Sequence, residues 1–398
     1  MDEINAHNRN LRAGQWINQG GPEPFSSFIP SPLPPLPPIQ YDPVLQDWEE
    51  KANRALGRLD AVTTLLPDPA LFLYTYVRKE AVLSSQIEGT QSSLSDLLAF
   101  ENAEVPSVPL NDVKEVSNYV AAMDHGLKRL KEDHFPLSLR LIREIHAILL
   151  KDGRGSTQQP GEFRRTQNWV GGSRPGNATY VPPPSHEVLP TMGALEKFLH
   201  NKPVATPTLI KAGLAHAQFE TIHPFLDGNG RLGRLLITFV LCAEGALSQP
   251  LLYLSLYFKE NRQEYYDLLQ KIRTEGDWES WLIFYLKGIE AVSSQATETA
   301  KKLSALFEEH RQKIHALGRA AAAAHRVHDL LKERALLAPV VARKKLGLTF
   351  PTVTAAFQNL QKLGLVKETT GRKTHRLYAY SSYLDVLAGG TEIKRVQR

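Results

Sequence analysis

Cysteine is nearly absent from this sequence, because Cys242 is the only one among 398 residues. A lone cysteine excludes an intrachain disulfide and suits a reducing compartment. Its place in the apolar run from Leu235 to Ala243 predicts a buried, unreactive thiol. Long apolar stretches are missing too, since none reaches the ~18 residues that a membrane-spanning helix needs. The amino terminus also lacks the apolar core of a signal peptide. We therefore expect a cytoplasmic protein without a membrane part.

The length and the composition exclude several classes of protein. A single hydrophobic core stops growing near ~250–300 residues, so a chain of this length is expected to form at least two units. Hydrophobic residues make up 42% and charged residues 22%. These shares are ordinary for globular domains and exclude wholesale disorder, a collagen-like repeat and a coiled-coil rod.

The net charge is distributed unevenly along the chain. Between Arg326 and Tyr380 there are 11 basic and 3 acidic residues, a local balance of +8. Because the whole chain carries +5, the remainder carries −3. A basic module after a mildly acidic body suggests an anionic partner, with nucleic acid as the first candidate. A merely solvated basic surface is the alternative.

Helical patterns dominate the middle of the chain. Asp42-Pro43 and Asp68-Pro69 each offer a carboxylate cap followed by proline at the first helical position. The exception is the region 167–184, where short β-type runs flank a Gly/Pro/Asn turn and predict a small hairpin. The sequence thus predicts a mostly α-helical body. Further helices are expected near residues 111–130, 137–151, 185–199, 206–221, 229–244, 259–273 and 277–317.

A base, a carboxylate, a Gly-Asn-Gly turn and two arginines occur within the twelve residues from His223 to Arg234. Gly228, Gly230 and Gly233 fit the spacing of a dinucleotide-binding fingerprint, G-x-G-x-x-G. That fingerprint needs a preceding β-strand and an acidic residue about 20 positions later, and neither is present. A Walker A loop is excluded as well, because no Gly-Lys-Ser/Thr follows.

This segment is instead suited to bind a polyphosphate. A glycine-rich turn that opens a helix presents backbone N–H groups at the positive end of the helix dipole. Arg231 and Arg234, three residues apart, can add donors to phosphate oxygens. Asp227 can bind Mg²⁺, and His223 can accept a proton from a nucleophile. A capped helix with a structural histidine and surface arginines is the alternative.

The same segment resembles the Fic motif, H-x-F-x-[DE]-G-N-G-R-x-x-R, at every fixed position from His223 to Arg234. Weaker resemblance extends over residues 30–292 and includes the segments 160–167 and 214–222. The resemblance implies a helical Fic core with a β-hairpin flap. It also implies an enzyme that transfers AMP from ATP to a hydroxyl side chain of a target protein and releases pyrophosphate.

The family's roles can be carried over to matching positions of this sequence. The resemblance makes His223 the catalytic base, Asp227 the Mg²⁺ ligand and Arg234 the ligand of the γ-phosphate. It implies that an unidentified target protein docks on the flap near residues 168–182. The base side of the pocket is assigned to Asn261 and Tyr265 from their position after the motif. The other ATP-binding residues are expected to be Gly228, Asn229, Gly230, Arg231 and Gly233.

A second segment, Ser84-Ser85-Gln86-Ile87-Glu88-Gly89, resembles the inhibitory motif of the same family, [ST]-x-x-x-E-[GN]. Ser84, Glu88 and Gly89 occupy its fixed positions. Glu88 would lie at the carboxyl end of a helix, where the helix dipole disfavours a negative charge, so it needs a cation. The resemblance supplies Arg234, for which Glu88 would compete with the γ-phosphate of ATP. An exposed glutamate at a helix end is the alternative.

The basic carboxyl-terminal part resembles a winged helix-turn-helix domain in the order of its expected elements. Three helices, near 327–336, 340–346 and 349–363, precede two strands near 365–366 and 375–380. Such a domain could bind DNA through residues 326–380, with protein binding or a homodimer as the alternative. The recognition helix would carry Thr352, Thr354, Gln358 and Asn359, and the wing would carry Arg372, Lys373 and Arg376.

These observations divide the chain into five expected parts. They are a flexible segment (1–28), a helical region with the inhibitory motif (29–110), the catalytic core (111–292), a connecting helix (293–325) and a winged-helix domain (326–398). A DNA-binding regulator whose nucleotide site senses a ligand without transfer is the alternative function. The presence of His223 argues against that alternative, because a sensor needs no base.

Overall fold

The computed structural model describes residues 12–21, 23–65, 69–101, 108–372, 374–389 and 391. Most of these residues are helical, as predicted. Among them there is no helix whose length and apolar character would allow it to cross a membrane. Asp68, one of the predicted caps, and Lys373 on the predicted wing lie outside the described residues.

An amino-terminal hairpin, residues 14–30, forms largely within the segment 1–28, which was expected to be flexible. Strand β1 (Gly14–Gln19) pairs antiparallel with β2 (Phe25–Pro30). The hairpin is fixed to the body at two points, because the N–H of Phe28 donates to the carbonyl of Val181 at 3.0 Å and Arg12 forms an ion pair with Glu279 at 2.8 Å. These strands were not predicted, because the segment is polar and interrupted by glycine and proline.

The body is built from helices, most of which have bounds close to the predicted ones. The helix Leu94–Glu101 was not predicted, and the one expected near 259–273 is divided in two at Asn261. The predicted cap at Asp42 is present, since its Oδ1 accepts a hydrogen bond from the N–H of Leu45 at 2.7 Å. The helices are α1 (Pro43–Leu65), α2 (Pro69–Ile87), α3 (Leu94–Glu101), α4 (Leu110–Lys131), α5 (Leu139–Leu149), α6 (Ser185–Leu199), α7 (Thr208–Ile222), α8 (Asn229–Ala243), α9 (Ser255–Glu260), α10 (Arg262–Glu275) and α11 (Trp278–His315).

Helices α7 and α8 pack against each other at the centre of the body, and the His223–Arg234 segment connects them. Every residue of α7 after Thr208 is buried, which explains its lack of an amphipathic pattern. Its one lysine, Lys211, is neutralised by Glu244 at 2.7 Å. Helix α8 packs in turn against α2, α4 and α5. The segment with the chemical groups is therefore held between the two most buried helices.

The carboxyl-terminal unit follows the 38-residue helix α11. It contains α12 (Ala321–Arg334), β3 (Leu336–Leu337), α13 (Pro339–Leu346), α14 (Phe350–Lys362), β4 (Lys367–Glu368), β5 (Tyr378–Ala379) and α15 (Ser381–Ala388). The strands form an antiparallel sheet in the order β3-β5-β4. Strand β4 lies two residues after the predicted strand at 365–366, β5 is shorter than the predicted 375–380, and β3 was not predicted.

This unit is packed firmly on helices α2 and α11. The ring of Phe307 on α11 lies 6.4 Å from that of Phe72 on α2 and 5.2 Å from that of Tyr383 on α15. The hydroxyl of Tyr380 is shared by His310 at 2.6 Å and His328 at 2.9 Å. Helix α2 therefore has one end in the carboxyl-terminal interface and the other, as shown below, in the candidate site.

The close approach of α4 to α8 requires glycine at position 126. A Cβ atom there would collide with the ring of Phe239, which is 1% exposed and has no room to move. We expect Gly126→Ala to reduce the free energy of unfolding by about 1–3 kcal/mol, the usual cost of overpacking. Urea denaturation followed by circular dichroism measures this change.

Gly57→Ala is the matched control, since Gly57 lies within α1 and a Cβ atom there would meet nothing within 4 Å. It should increase the stability by about 0.5–1 kcal/mol because alanine is the better helix former. Equal stability changes in the two variants would show that the α4–α8 contact tolerates a methyl group.

Candidate active site

His223 lies at the point where α7 ends. Its φ of 49° is in the left-handed region, which is unfavourable for residues other than glycine. Two side chains hold the backbone there, because Arg164 Nε donates to the carbonyl of His223 at 3.0 Å and Asn168 Nδ2 donates to the carbonyl of Phe225 at 2.8 Å. The direction of the His223 imidazole is thus set by groups outside the motif.

The imidazole of His223 is uncharged at neutral pH. Burial and the positive charges of Arg273 and Arg164 lower the pKa of His223 to about 4. A lowered pKa means that the proton-accepting form dominates at any pH above that value. Nδ1 of His223 is buried and has no hydrogen-bond partner within the described part of the chain. The geometry and the protonation state both suit a general base.

Asn229 holds the turn between His223 and α8. Its Oδ1 accepts from the N–H of Phe225 at 2.9 Å, and its Nδ2 donates to the carbonyl of Phe225 at 2.8 Å. The side chain of Asn229 is therefore used by the loop, and its backbone N–H is the group left for the expected contact with phosphate. Gly228 has a φ of 79°, a value that favours glycine.

Asp227 is placed where a cation and phosphates could meet. Its carboxylate is 31% exposed and lies 3.7 Å from Nη2 of Arg231. The described residues contain no cluster of three His, Cys, Asp or Glu side chains that could hold a metal alone. A single carboxylate nevertheless fits Mg²⁺ that takes its remaining ligands from phosphate and water.

His146 on α5 supports Asp227 and was missed by the sequence analysis. The N–H of Gly161 donates to Nδ1 of His146 at 2.8 Å, so the ring proton is on Nε2, which donates to the carbonyl of Asp227 at 3.0 Å. The ring also stacks on Phe225 at 3.7 Å. No signal in the sequence marks His146, since it resembles any histidine on the buried side of a helix.

Arg231 and Arg234 are both buried, at 1% and 3% exposure, and each is paired with a carboxylate. Nη1 of Arg231 lies 3.2 Å from Oε2 of Glu115 on α4, a partner that the sequence analysis missed. Arg234 Nη2 lies 2.7 Å from Oε1 of Glu88. The alternative of two surface arginines is therefore excluded.

The carboxyl end of α2 accepts three hydrogen bonds from Arg234. Besides the contact with Glu88, Nε donates to Oγ of Ser84 at 2.8 Å and Nη2 donates to the carbonyl of Ser84 at 3.0 Å. Burial alone would raise the pKa of Glu88, but Arg234 lowers it below its usual value by charge and hydrogen bonding. Gly89, with a φ of 96°, ends the helix as predicted. A Cβ atom at Gly230 would collide with Oε1 of Glu88, so this carboxylate lies directly over the glycine turn.

The two residues assigned to the base side of the pocket occupy different environments. Asn261 is half-buried and donates to the carbonyl of Tyr257 at 3.0 Å. Tyr265 is 1% exposed and hydrogen-bonded to Nε2 of His216 at 2.9 Å, within a cluster of aromatic rings. Its side chain belongs to the core, and the next residue, Tyr266, is the exposed tyrosine of α10. Sequence order could not distinguish the two, because only the helix phase decides which one turns inward.

The predicted hairpin in the region 167–184 is present in reduced form. Val170 and Tyr180 make one antiparallel bridge, with N···O distances of 2.8 and 3.1 Å, and a single 3₁₀ turn, Pro175–Asn177, lies between them. Asn168 joins this flap to the motif, since its Nδ2 also donates to the carbonyl of His223 at 3.3 Å. The edge of the flap therefore lies beside the candidate base.

Two family profiles match this chain. Residues 48–128 match the profile described as "Fic/DOC family N-terminal", and residues 136–241 match the one described as "Fic/DOC family". Two curated relatives carry the name "Protein adenylyltransferase Fic". The one from Aedes aegypti is 32% identical over 194 residues, and the one from Culex quinquefasciatus is 31% identical over 194 residues. Each alignment covers 48% of this chain and 36% of the mosquito protein, so the chain spans about a third of the relatives' length.

A solved structure shares the fold over most of the chain. The crystal structure of a Fic family protein from Desulfovibrio desulfuricans G20 aligns with a TM-score of 0.57 at 20% identity, covering 86% of this chain and 97% of that one. The motif from His223 to Arg234 lies within the second matched segment. Through residues 48–128 and 136–241, this chain belongs to the Fic/DOC family.

Proposed function

We propose that this protein transfers AMP from ATP to a hydroxyl side chain of a target protein and releases pyrophosphate. The observation that carries the proposal is the position of an uncharged, partly buried imidazole, His223, one turn ahead of a helix start with two buried arginines. A base beside a phosphate-binding helix start is what phosphoryl-type transfer requires. The name of the mosquito relatives agrees with this activity.

The reaction can be written with the groups at the site. The target hydroxyl oxygen forms a bond to the α-phosphorus while its proton passes to His223. The bond between the α-phosphorus and the oxygen that bridges to the β-phosphate breaks, and pyrophosphate leaves. Arg231 and Arg234 offset negative charge on the phosphates, and Asp227 would hold Mg²⁺, which supplies further positive charge. The site thus contributes a base, positioning and electrostatic stabilisation.

The first test separates chemistry from nucleotide binding. We expect His223→Ala to reduce AMP transfer by about 10²- to 10⁴-fold, as for other general bases, while ATP affinity changes little. Asp227→Ala should weaken Mg²⁺-dependent ATP binding as well. Transfer is followed with ATP labelled on the α-phosphate, and binding by calorimetry.

His186→Ala is the control, because His186 is an exposed histidine on α6. It should leave transfer and binding unchanged. If His223→Ala lost ATP binding and transfer equally, His223 would be a structural residue of the phosphate-binding turn.

We further propose that Glu88 inhibits this transfer by occupying Arg234. The support is geometric: Glu88 lies over the glycine turn at Gly230 and contacts the guanidinium that would otherwise be available to the γ-phosphate. ATP would then bind in a pose unsuited to in-line attack. Helix α2 carries the inhibitory group and belongs to the same chain, so release would require movement at the carboxyl end of α2.

The test of inhibition is Glu88→Gly in the full-length chain. Transfer should rise at least about tenfold, the size expected when a charged hydrogen bond no longer competes for Arg234. The double change Glu88→Gly with Arg234→Ala should lose that gain, because both substitutions act on one contact. Unchanged transfer in folded Glu88→Gly protein, given candidate targets, would show that the end of α2 is only a helix end.

We propose DNA as the partner of the carboxyl-terminal unit. Its basic charge balance of +8, in residues 326–380, supports an anionic ligand. On α14, Gln358 is exposed and Thr352, Thr354 and Asn359 are half-buried, so part of the expected reading face is accessible. Arg372 and Arg376 between β4 and β5 are exposed and could contact phosphate. The alternative function is a DNA-binding regulator that senses nucleotide. It would use the same carboxyl-terminal unit but would not transfer AMP.

The test of DNA binding is the pair of changes Arg372→Ala and Arg376→Ala. Each phosphate contact that is lost should lower the slope of log affinity against log salt by about 0.9. Lys301→Ala with Lys302→Ala on α11 removes two exposed cations elsewhere and should not change the slope. If the full-length protein binds no DNA at low salt, the unit serves protein binding or dimerisation.

A further inference from the structure

We propose that Glu115 is a positioning residue that fixes the guanidinium of Arg231 for binding nucleotide phosphate. This inference rests on the proposed function, since it concerns the same site. Glu115 lies on α4, 116 residues before Arg231 and outside every motif noted above. It reaches the site because α4 packs against α8.

The contact between the two side chains is buried on both sides. Nη1 of Arg231 and Oε2 of Glu115 are 3.2 Å apart, and the side chains are 1% and 3% exposed. Removing two charges from water costs several kcal/mol per ion, and a buried pair is often no more stabilising than apolar residues of the same volume. Stability alone therefore gives little reason to bury an arginine and a glutamate here.

The remaining N–H groups of Arg231 indicate why this arginine and this glutamate are buried together. Nε and Nη2 are buried and make no hydrogen bond to any described residue. A buried donor without a partner is costly, so two of them on one side chain are a marked exception. Nε–H and an Nη2–H lie parallel on one edge of a guanidinium, the edge that binds two oxygens of a phosphate at once.

The neighbouring residues show which way the Nε–Nη2 edge of Arg231 faces. Nη2 is 3.7 Å from Oδ1 of Asp227, the residue that we expect to hold Mg²⁺ beside the phosphates. Glu115 takes the opposite donor, Nη1. Its second oxygen, Oε1, faces Arg154 at 3.5 Å, and Arg154 is half-exposed on the loop after α5. Glu115 is thus held between two arginines and leaves one edge of Arg231 for an anion.

A charge effect alone would have the opposite sign. A carboxylate near an anion site repels phosphate, so loss of its charge should strengthen nucleotide binding. If Glu115 instead holds Arg231 in place, nucleotide affinity depends on whether the side-chain oxygen of residue 115 can reach Nη1 of Arg231. Two conservative substitutions separate charge from reach. Glu115→Asp keeps the charge and withdraws the oxygen by one methylene group, whereas Glu115→Gln keeps the reach and removes the charge.

The experiment measures binding of ADP with Mg²⁺ to the full-length protein by calorimetry. ADP has no γ-phosphate, so competition with Glu88 for Arg234 does not affect the result, and the transfer that releases pyrophosphate cannot occur. We expect Glu115→Asp to weaken binding at least about tenfold, as for the loss of one hydrogen bond to a charged group, and Glu115→Gln to change it by less than about twofold. Circular dichroism confirms that both variants are folded.

Two controls make the result specific. Glu144→Asp and Glu144→Gln change a half-buried glutamate on α5 that pairs with Arg129 and Arg140 away from the site, and they should leave ADP binding unchanged. In an Arg231→Ala background the effect of Glu115→Asp should disappear, because its target is gone.

Wild-type affinity in Glu115→Asp, or a loss that persists without Arg231, would overturn the proposal. Tighter binding by Glu115→Gln with no change in Glu115→Asp would show that Glu115 acts only by its charge. If the wild-type protein binds ADP as described but folded Glu88→Gly protein, given candidate targets, transfers no AMP from ATP, the proposed function fails while the role of Glu115 in nucleotide binding stands.

Discussion

Two guanidinium groups are buried within one turn at the start of α8, and the rest of the site is arranged around that constraint. Arg231 and Arg234 need counter-charges that α8 itself does not provide. Glu115 on α4 and Glu88 at the end of α2 provide these charges, so helices α2, α4 and α8 must meet at this point. The packing of α8 against α2 and α4, with glycine at position 126 to allow the approach, is what makes burial of the two cations tolerable.

The second constraint is the backbone of the turn before α8. The backbone of His223 has a left-handed conformation, and its carbonyl accepts hydrogen bonds from Arg164 and Asn168, two residues of the chain segment that leads into the flap. The same two residues, Arg164 and Asn168, bring the flap beside His223. The position of His223 and the placement of the flap thus depend on the same two residues, and Arg164 also helps to lower the pKa of His223. A change in this segment would alter all three together.

Helix α2 connects the site with the carboxyl-terminal unit. At one end Ser84 and Glu88 hold Arg234, and along its length Phe72 packs beneath the ring of Phe307 in the interface with that unit. Within the turn that carries Glu88, the amide of Gln86 also donates to the carbonyl of Thr391 at 3.0 Å. The carboxyl-terminal unit is therefore packed directly on the helix that carries the proposed inhibitory group. A basic module joined to the body only by a linker would have no such contacts.

The sequence by itself determined the mostly helical fold, most of the helix bounds and the identity of the segment from His223 to Arg234, because helix caps, periodicity and a contiguous motif are local properties. It also indicated the contact of Glu88 with Arg234, through resemblance alone. Only the tertiary structure decided that Glu115 pairs with Arg231, that His146 supports Asp227 and that Tyr265 faces the core. These facts depend on helix phase and on packing between distant segments, and no local pattern of residues encodes which buried carboxylate will meet which buried arginine.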